Sequence, residues 1–352
     1  MNPTPQMDGL RFLELGPAPL VKNVFPAQTE YFRISQRREH GEDGEPVGLR
    51  RLTQRLRAGD ADLVICQPPV YPLLHHQGIV RMFFNRRIFS SPPAPSRGLA
   101  VPALRMYRSI PLAVMDLEDH PYIDRWNFGL LDRATAYFKR ELPTDEWRVF
   151  TKTGTPNQPT PRFRRIERFR QHVAKLRPLP LGLPHVAEAP PQSPLEKVTD
   201  VFFAAHIPGM PVRERGLAEL KALQAQGLRI DICETRIPRD EFYRRCAQSW
   251  LTWSPEGYGW DCFRHYEAPM CGSVPMHNYP NIRRHAPTEH GVQAFYHGAE
   301  AGALMRCIHE ALADKDRLVR MAAAARAHCE ANHTRDAIVR YVIETTLAMA
   351  RR

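Results

Sequence analysis

Residues 198–297 alternate between short apolar runs and amphipathic helical segments, and this alternation is the strongest constraint on the fold. The apolar runs read DVFFAAH, RIDIC, SWLTWSP, SVPMHN and GVQAFYH, and the helical segments between the first three read RERGLAELKALQAQG and PRDEFYRRCAQ. In the first helical segment Leu217, Leu220 and Leu223 share one stripe, and Gly227 is suited to end the helix. Repeated β-α-β order predicts a parallel sheet with helices on both faces.

The N-terminal half shows a weaker α/β pattern. Strand-like runs occupy 10–16, 61–69, 109–116 and 134–142, and the segment GLRRLTQRLRAG has helical spacing. A proline-rich stretch then interrupts the pattern with the sequence RPLPLGLPHVAEAPPQSPLEK, which is typical of an interdomain linker.

We therefore predict an α/β protein with two Rossmann-like domains that face each other across a cleft. The predicted N-terminal domain spans 1–180, the linker 181–197 and the C-terminal domain 198–334. A final helix at 335–352 is predicted to cross back to the N-terminal domain, and Thr334 is suited to cap its start.

Composition limits the partners and the compartment. The formal charge of +11 attracts polyanions or acidic membrane surfaces, but no nucleic-acid-binding motif is present, so nucleic acid is not expected as a partner. The basic segment 161–177 is either a solvated helix face or a patch for a phosphorylated or lipid-bound acceptor. The seven cysteines form no CxxC pair, and no apolar run has the length of a membrane helix. We expect a cytoplasmic protein, either free or at the inner face of the membrane.

The segment 253–280, WSPEGYGWDCFRHYEAPMCGSVPMHNYP, carries polar chemistry that a packed core does not need. A strand leads into Gly257, Tyr258 and Gly259, and a helix is predicted to begin near Asp261. Glycines let backbone N–H groups approach a phosphate closely, and a helix N-terminus favours the negative charge there. The segment therefore predicts a phosphate-binding loop.

Arg264 and Glu267 lie three residues apart on the predicted helix and so share one face. An arginine can fork onto a diphosphate, and a carboxylate can accept hydrogen bonds from two ribose hydroxyls. Together they indicate a site for a nucleotide diphosphate sugar, and the alternative is a salt bridge on the surface. Four aromatic residues of the segment are candidates for stacking on a base or sugar: Trp253, Tyr258, Trp260 and Tyr266.

The run FRHYEAPMCGSVPMHN resembles the donor-site segment of GT-B glycosyltransferases, and it is most similar to the branch with spore-maturation-type and exostosin-like enzymes. The resemblance covers 198–345, and earlier the runs IPLAVMDLEDHPYID and ATAYFKREL are similar to the acceptor-side domain of that branch. It implies that the C-terminal domain binds a UDP- or GDP-linked sugar through Arg264 and Glu267. Arg213, or alternatively Arg215, would be a second diphosphate ligand.

One departure from the family concerns the Glu-x7-Glu pattern of enzymes that retain anomeric configuration. The position eight residues before Glu267 is Gly259, and Glu256 is out of register. No first glutamate is therefore assigned, and both retention and inversion remain open.

The run VMDLEDHP has three interpretations. Asp116 and Asp119 end a predicted strand and are candidates for the base that deprotonates an acceptor hydroxyl. Asp116, Glu118 and Asp119 also fit the metal-binding motif of GT-A glycosyltransferases. The third interpretation is an acidic loop before the next helix.

The resemblance and these residues together predict a glycosyltransferase. It would move a sugar from a nucleotide diphosphate sugar to a hydroxyl of a glycan, glycolipid or other glycoconjugate, without a metal or a further cofactor. The alternatives are a metal-dependent GT-A-like transferase and a catalytically inactive relative that only binds nucleotide or glycan. His75 and His76 follow a predicted strand and are candidates for an acceptor pocket.

Overall fold

The chain divides into two compact units in a computed structural model. Unit 1 comprises Met1–Leu179 and Val339–Arg352, and unit 2 comprises Pro180–Ile338. The residues that the structure describes are 7–33, 49–68, 103–124, 127–150, 152–153, 159–160, 166–183 and 195–352.

Three sequence predictions fall wholly or partly outside these residues, and one of them is the basic segment 161–177, of which 161–165 are not described. His75 and His76 are not among the described residues, and neither are 184–194 of the predicted linker. The change from unit 1 to unit 2 after Leu179 coincides with the start of the proline-rich stretch.

The elements of unit 1 are β1 (Phe12–Gly16), α1 (Val21–Val24), β2 (Thr29–Arg33), α2 (Leu49–Ala58), β3 (Leu63–Cys66), β4 (Leu112–Asp116), α3 (Phe128–Arg133), β5 (Ala136–Lys139), a 3₁₀ helix (Glu146–Phe150), the small antiparallel pair β6 (Lys152–Thr153) and β7 (Pro159–Thr160), α4 (Ile166–Val173) and β8 (Leu176–Pro178). Within the described residues, a parallel sheet has the strand order β2-β1-β3-β4-β5-β8. Every residue of β1, β3, β4 and β5 is buried, as expected for a parallel sheet that is covered on both faces.

Glu14 is a charged residue in the middle of β1, and it is fully buried. Its carboxylate accepts hydrogen bonds from the backbone nitrogens of Leu20, Val21 and Lys22 at 2.6, 3.0 and 2.8 Å. The first N–H groups of a helix have no acceptor within the helix, and the Glu14 carboxylate is the acceptor for these three. The backbone N–H groups of the turn after β1 are therefore satisfied by a carboxylate of the preceding strand.

The elements that follow are β9 (Thr199–Ala204), α5 (Pro211–Ala225), β10 (Ile230–Cys233), α6 (Arg239–Ala247), β11 (Ser249–Trp253), α7 (Arg264–Met270), β12 (Val274–Asn278), β13 (Phe295–His297), α8 (Ala303–Leu312), α9 (Lys315–Asn332) and α10 (Arg335–Ala350). Unit 2 is built on a second parallel sheet, in the order β10-β9-β11-β12-β13 within the described residues. Side chains from this sheet form one core cluster, which includes Val201, Phe203, Leu251, Val274 and Phe295.

The strand order of unit 2 reverses at β9, which has β10 on one side and β11 on the other. Loops that leave neighbouring strands at such a reversal diverge to opposite faces of the sheet, so a crevice forms at the carboxyl ends of the strands. The loop 205–210 after β9 and the loop 254–263 after β11 border this crevice.

Helix ends test the local sequence predictions. Gly227 has φ +96° directly after the end of α5, so the predicted role of this glycine is confirmed. Thr334 Oγ1 accepts a hydrogen bond from Ala337 N at 3.2 Å, which confirms the predicted cap of α10. The helix predicted to begin near Asp261 begins instead at Arg264, and the reason lies in the bonds of Asp261 described below.

Helix α10 begins in unit 2, and its residues from Val339 onward belong to unit 1. Within unit 1, Tyr341 Oη donates to Pro178 O at 3.0 Å, and its ring meets the Phe138 ring edge-on at 5.4 Å. In the part of the chain that the structure describes, no helix combines the length and apolar character needed to span a bilayer.

Candidate nucleotide-sugar site in unit 2

Arg213 lies in the first turn of α5, and its buried side chain joins the two loops that border the crevice. Its Nη1 donates to His206 O at 2.7 Å, and its Nε donates to Glu256 O at 2.8 Å. Burial lowers the pKa of Arg213, and the positive charge of Arg264 lowers it further. The guanidinium therefore lies among backbone carbonyls and close to a second positive charge.

Gly257 allows the loop after β11 to pack directly on Arg213. A Cβ atom at this position would lie 2.5 Å from Arg213 Nη2, which is closer than side-chain carbons approach other atoms. Gly257 N donates to Gly259 O at 2.8 Å, so this amide is engaged within the loop. A side chain at position 257 would therefore have to displace the Arg213 guanidinium. Between the two glycines, Tyr258 is 85% exposed.

Arg264 is the first residue of α7, and its side chain has an incomplete set of hydrogen bonds. Its Nε is buried without a hydrogen-bond partner among the described residues, and its Nη2 is 3.5 Å from Pro255 O. Within the same residues, no salt bridge joins Arg264 or Arg213 to a carboxylate. Among the described residues, neither of these two neighbouring guanidinium groups is therefore paired with a carboxylate at salt-bridge distance.

Glu267 is buried one turn further along α7, with 7% of its surface exposed. Tyr243 Oη on α6 donates to its Oε1 over a long 3.4 Å. Burial raises the pKa of Glu267, while the positive charges of Arg239 and Arg264 oppose this rise. The alternative of an exposed salt bridge between Arg264 and Glu267 is wrong, because the carboxylate is buried and the pair is not within salt-bridge distance.

Asn278 at the end of β12 is a site residue that the sequence analysis missed. Its Oδ1 accepts from Glu256 N at 2.9 Å, and its Nδ2 donates to Glu256 Oε2 at 3.0 Å. Asn278 thus fixes both the backbone and the side chain of Glu256, the glutamate that is out of register with the Glu-x7-Glu pattern. The available signal was a polar side chain that ends an otherwise apolar strand at the carboxyl edge of the sheet.

Two histidines lie beneath the loop and share one acceptor. His265 Nε2 and His277 Nδ1 both lie 3.1 Å from Ser254 O. A carbonyl oxygen only accepts, so both of these nitrogens carry hydrogen. Burial, followed by the neighbouring His265, lowers the pKa of His277 well below its ordinary value. These histidines are therefore structural supports of the loop.

Asp261 also supports the loop and does not start a helix. Its Oδ1 accepts from Tyr266 Oη at 2.6 Å, and its Oδ2 accepts from Leu181 N at 2.7 Å. Trp260 and Tyr266 are buried, as is Trp253, so Tyr258 is the exposed member of the four aromatic candidates.

The carboxylates predicted as bases lie in unit 1, and Asp116 among them is buried at the end of β4. Its Oδ2 accepts from Tyr137 Oη at 2.7 Å, and its Oδ1 accepts from Lys139 Nζ at 3.1 Å. Glu118 N also donates to Asp116 Oδ1, at 3.1 Å. Burial, and then the charge of Asp116, raises the pKa of Tyr137 well above its ordinary value. Both carboxylate oxygens are therefore engaged in the core of unit 1.

Asp119 has a different environment, with 52% of its side chain exposed and an ion pair to Arg140. Burial, and then the charge of Asp116, raises the pKa of the nearby Glu118. Across the described ranges, no three His, Cys, Asp or Glu side chains are grouped so that they would hold a metal ion, and this includes Asp116, Glu118 and Asp119.

No protein-family model matches the sequence, and no curated protein matches it. The chain is similar in fold to many solved structures, which include the following three, each matched over almost the whole chain. HepE of Anabaena, solved in complex with UDP, is 13% identical with a TM-score of 0.50, covering 96% of this chain and 99% of that chain. A glycosyltransferase from Rickettsia africae ESF-5 is 9% identical with a TM-score of 0.51, covering 98% and 100%.

The third similar structure is sucrose-phosphate synthase from Thermosynechococcus elongatus, which is 11% identical with a TM-score of 0.52, covering 97% and 98%. At sequence identities this low, the structural similarity is evidence for the fold alone. Together with the two parallel sheets, it confirms the predicted class, an α/β protein with the two Rossmann-like units of the GT-B fold.

Proposed function

We propose that this chain transfers a sugar from a nucleotide diphosphate sugar to a hydroxyl group of a glycan or glycoconjugate. The observation that carries the proposal is the pair Arg213 and Arg264 at the loop after β11, with a buried Arg264 Nε that has no partner among the described residues. Like charges that are close and partly desolvated repel each other, and a bound anion relieves the repulsion. A diphosphate supplies two adjacent negative groups whose oxygens can accept hydrogen bonds from guanidinium groups.

Glu267 supports the nucleotide part of the proposal. Its buried carboxylate receives only the long bond from Tyr243 among the described residues, which leaves acceptor capacity for two ribose hydroxyls. A site built to receive hydroxyl groups strongly disfavours a ligand that lacks them. The Arg264 and Glu267 roles therefore predict selectivity for a ribonucleotide diphosphate.

The leaving diphosphate gains negative charge as the sugar departs, and catalysis requires that this charge be stabilised. Arg213 and Arg264 offer two positive side chains for it, so we propose transfer without a metal ion. UDP is the first nucleotide to examine, because HepE was solved with UDP. We also propose that the chain belongs to the branch of spore-maturation-type and exostosin-like enzymes, on the basis of the sequence motif in α7 and the residues that flank it.

For the acceptor hydroxyl, Asp119 is the better candidate for a base and Asp116 the weaker one. A base must reach the proton that it removes, and Asp119 is half exposed while Asp116 is buried with both oxygens engaged. Asp116 would then act by holding the end of β4, from which Asp119 projects.

The test is calorimetric titration of the chain with UDP, GDP and UDP-glucose, followed by a turnover assay with UDP-glucose in EDTA. Arg264→Ala should weaken UDP binding, and Arg320→Ala serves as control because Arg320 is exposed on α9. Absence of UDP and GDP binding by the wild-type chain would contradict the proposal. Binding without turnover would favour the inactive relative, and activity that is lost in EDTA would favour a metal-dependent enzyme.

A further inference from the structure

The exposed aromatic side chains of unit 2 lie at the carboxyl edge of its sheet. Among the described residues, the large aromatic side chains that are more than a third exposed are Tyr258 at 85%, Tyr279 at 60% and Phe263 at 42%. Tyr258 and Phe263 lie on the loop after β11, and Tyr279 directly follows β12. Exposed aromatic rings are unfavourable in water, and their concentration beside one loop indicates a binding surface.

The Tyr279 ring is supported from behind. It stacks on the Tyr296 ring with a centroid distance of 5.8 Å and an angle of 23° between the planes. The Arg284 guanidinium lies 5.1 Å from the Tyr296 ring and 5.1 Å from the Trp260 ring, and it donates a hydrogen bond to Tyr296 Oη. Tyr296 and Trp260 are both buried. Tyr279 is therefore the outer, open layer of a fixed stack.

The backbone ties this stack to the candidate nucleotide-sugar site. Tyr279 N donates to His297 O at 3.0 Å, which fixes the start of the segment after β12. The preceding residue, Asn278, holds Glu256 through two hydrogen bonds, and Glu256 O accepts from Arg213. The exposed Tyr279 ring thus belongs to the residue directly after Asn278, which positions the loop that contacts Arg213.

We propose that Tyr279 is a stacking platform for the pyranose ring of a sugar. One face of a pyranose ring is lined by C–H groups, and this apolar face packs on an aromatic ring while the hydroxyl groups at the rim stay in water. The ring would hold either the sugar of the donor or a sugar of the acceptor glycan. The inference rests on the proposed function and adds a residue that selects the sugar.

The experiment compares Tyr279→Ala and Tyr279→Phe with Val319→Ala, which removes a 58% exposed side chain from α9 as a control. Each full-length variant is titrated by calorimetry with UDP, UDP-glucose, cellotriose and maltotriose. Loss of the ring should weaken binding of one sugar-containing probe about tenfold, the upper range for an aromatic contact. The affinity for UDP should stay unchanged, and Tyr279→Phe should retain most of the sugar affinity because the ring remains.

The probes distinguish the two sources of the sugar. Weaker UDP-glucose binding with unchanged UDP binding places the donor sugar on Tyr279, and weaker oligosaccharide binding places an acceptor sugar there. Equal affinities of Tyr279→Ala and wild type for every sugar-containing probe would overturn the platform, even if UDP binds normally. A wild-type chain that binds no nucleotide but binds an oligosaccharide through Tyr279 would instead overturn the proposed transfer and leave the platform standing.

Discussion

Asn278 holds Glu256 through both atoms of its amide: Oδ1 accepts from Glu256 N at 2.9 Å, and Nδ2 donates to Glu256 Oε2 at 3.0 Å. Glu256 O in turn accepts a hydrogen bond from Arg213, so Glu256 connects the end of β12 to the arginine at the start of α5. The position of Arg213 therefore depends on an amide that is two strands away in the sheet.

Asn278→Asp should weaken UDP binding. The change removes the Nδ2 donor and places a carboxylate against that of Glu256, so the loop loses a hydrogen bond and gains a repulsion of about 1–3 kcal/mol. Calorimetry with UDP measures the effect. Asn332→Asp on α9 is the matched control, and equal UDP affinity of Asn278→Asp and wild type would contradict the role of this contact.

Gly257→Ala should displace the Arg213 guanidinium, because the added Cβ would lie 2.5 Å from Arg213 Nη2. We expect UDP affinity to fall by roughly 1–3 kcal/mol, which is the usual range for hydrogen bonds to a charged group. A double-mutant cycle with Arg213→Ala tests the mechanism, since Gly257→Ala should have little further effect once the guanidinium is absent. Additive losses would show that the two positions act independently.

The raised pKa of Glu267 gives UDP binding a pH dependence. Ribose hydroxyls donate to the ionised carboxylate, so UDP affinity should fall as the pH decreases through the pKa of Glu267. In Glu267→Gln the affinity should be lower and independent of pH in this range. Calorimetry at a series of pH values measures both, and parallel pH profiles of the two proteins would refute the role of Glu267.

The same shift has the opposite sign for stability. The folded protein holds its proton on Glu267 at pH values above the ordinary pKa of 4.5, where the unfolded chain has lost it. The free energy of unfolding therefore falls as the pH rises from that value through the raised pKa. Glu267→Gln removes this loss, so the variant should gain stability relative to wild type across the window and keep the gain at neutral pH.

His333 should produce acid sensitivity in unit 2. Burial lowers the pKa of His333 from its ordinary 6.5 to about 4, so the unfolded state binds more protons between these values. Stability should then fall as the pH decreases from 6.5 to 4. His333→Asn keeps a donor for His285 O but cannot be protonated, so its thermal midpoint should depend less on pH over this interval. Identical pH dependence in the variant would exclude His333 as a source.

Asp116 and Asp119 should differ in what their removal affects. Asp116→Asn leaves the fully buried Lys139 without its carboxylate and should lower the free energy of unfolding by about 3–5 kcal/mol. Asp119→Asn breaks the ion pair between the half-exposed Asp119 and Arg140, which we expect to contribute about 1 kcal/mol or less, and it should reduce turnover with little change in stability. Chemical denaturation and turnover assays separate the two. Full turnover by Asp119→Asn would remove it as a candidate base.

The sequence predicts the parts of this fold that repeat with a regular period. Apolar runs separated by amphipathic segments marked β9 to β13 and the helices between them, and local chemistry marked Gly227 and Thr334 at helix ends. The start of α7 was placed too early, because Asp261 binds Tyr266 Oη and Leu181 N, and the second of these partners lies 80 positions away in the chain. No local pattern contains such a contact.

The candidate site was predictable only in its residue types. Arg264 and Glu267 were recognisable from their spacing, but the grip of Asn278 on Glu256 depends on which strands end side by side in the sheet. Likewise, Asp116 ends an apolar strand in a way that fits a base, and its burial follows from Tyr137 and Lys139 on the neighbouring strand. These are long-range relationships, which a periodic pattern does not encode.

Glu14 has a consequence for the number of nucleotides that one chain takes up. Each of the two Rossmann-like sheets has a turn after its first strand, and backbone amides at such a turn can bind a phosphate. In unit 1 the amides of this turn, at Leu20, Val21 and Lys22, already donate to the Glu14 carboxylate. This internal anion is attached to the adjacent strand, so its effective concentration is fixed and a dissolved phosphate competes poorly with it. The amides of this turn already have their hydrogen-bond acceptor, so we expect a titration with UDP to saturate at one equivalent.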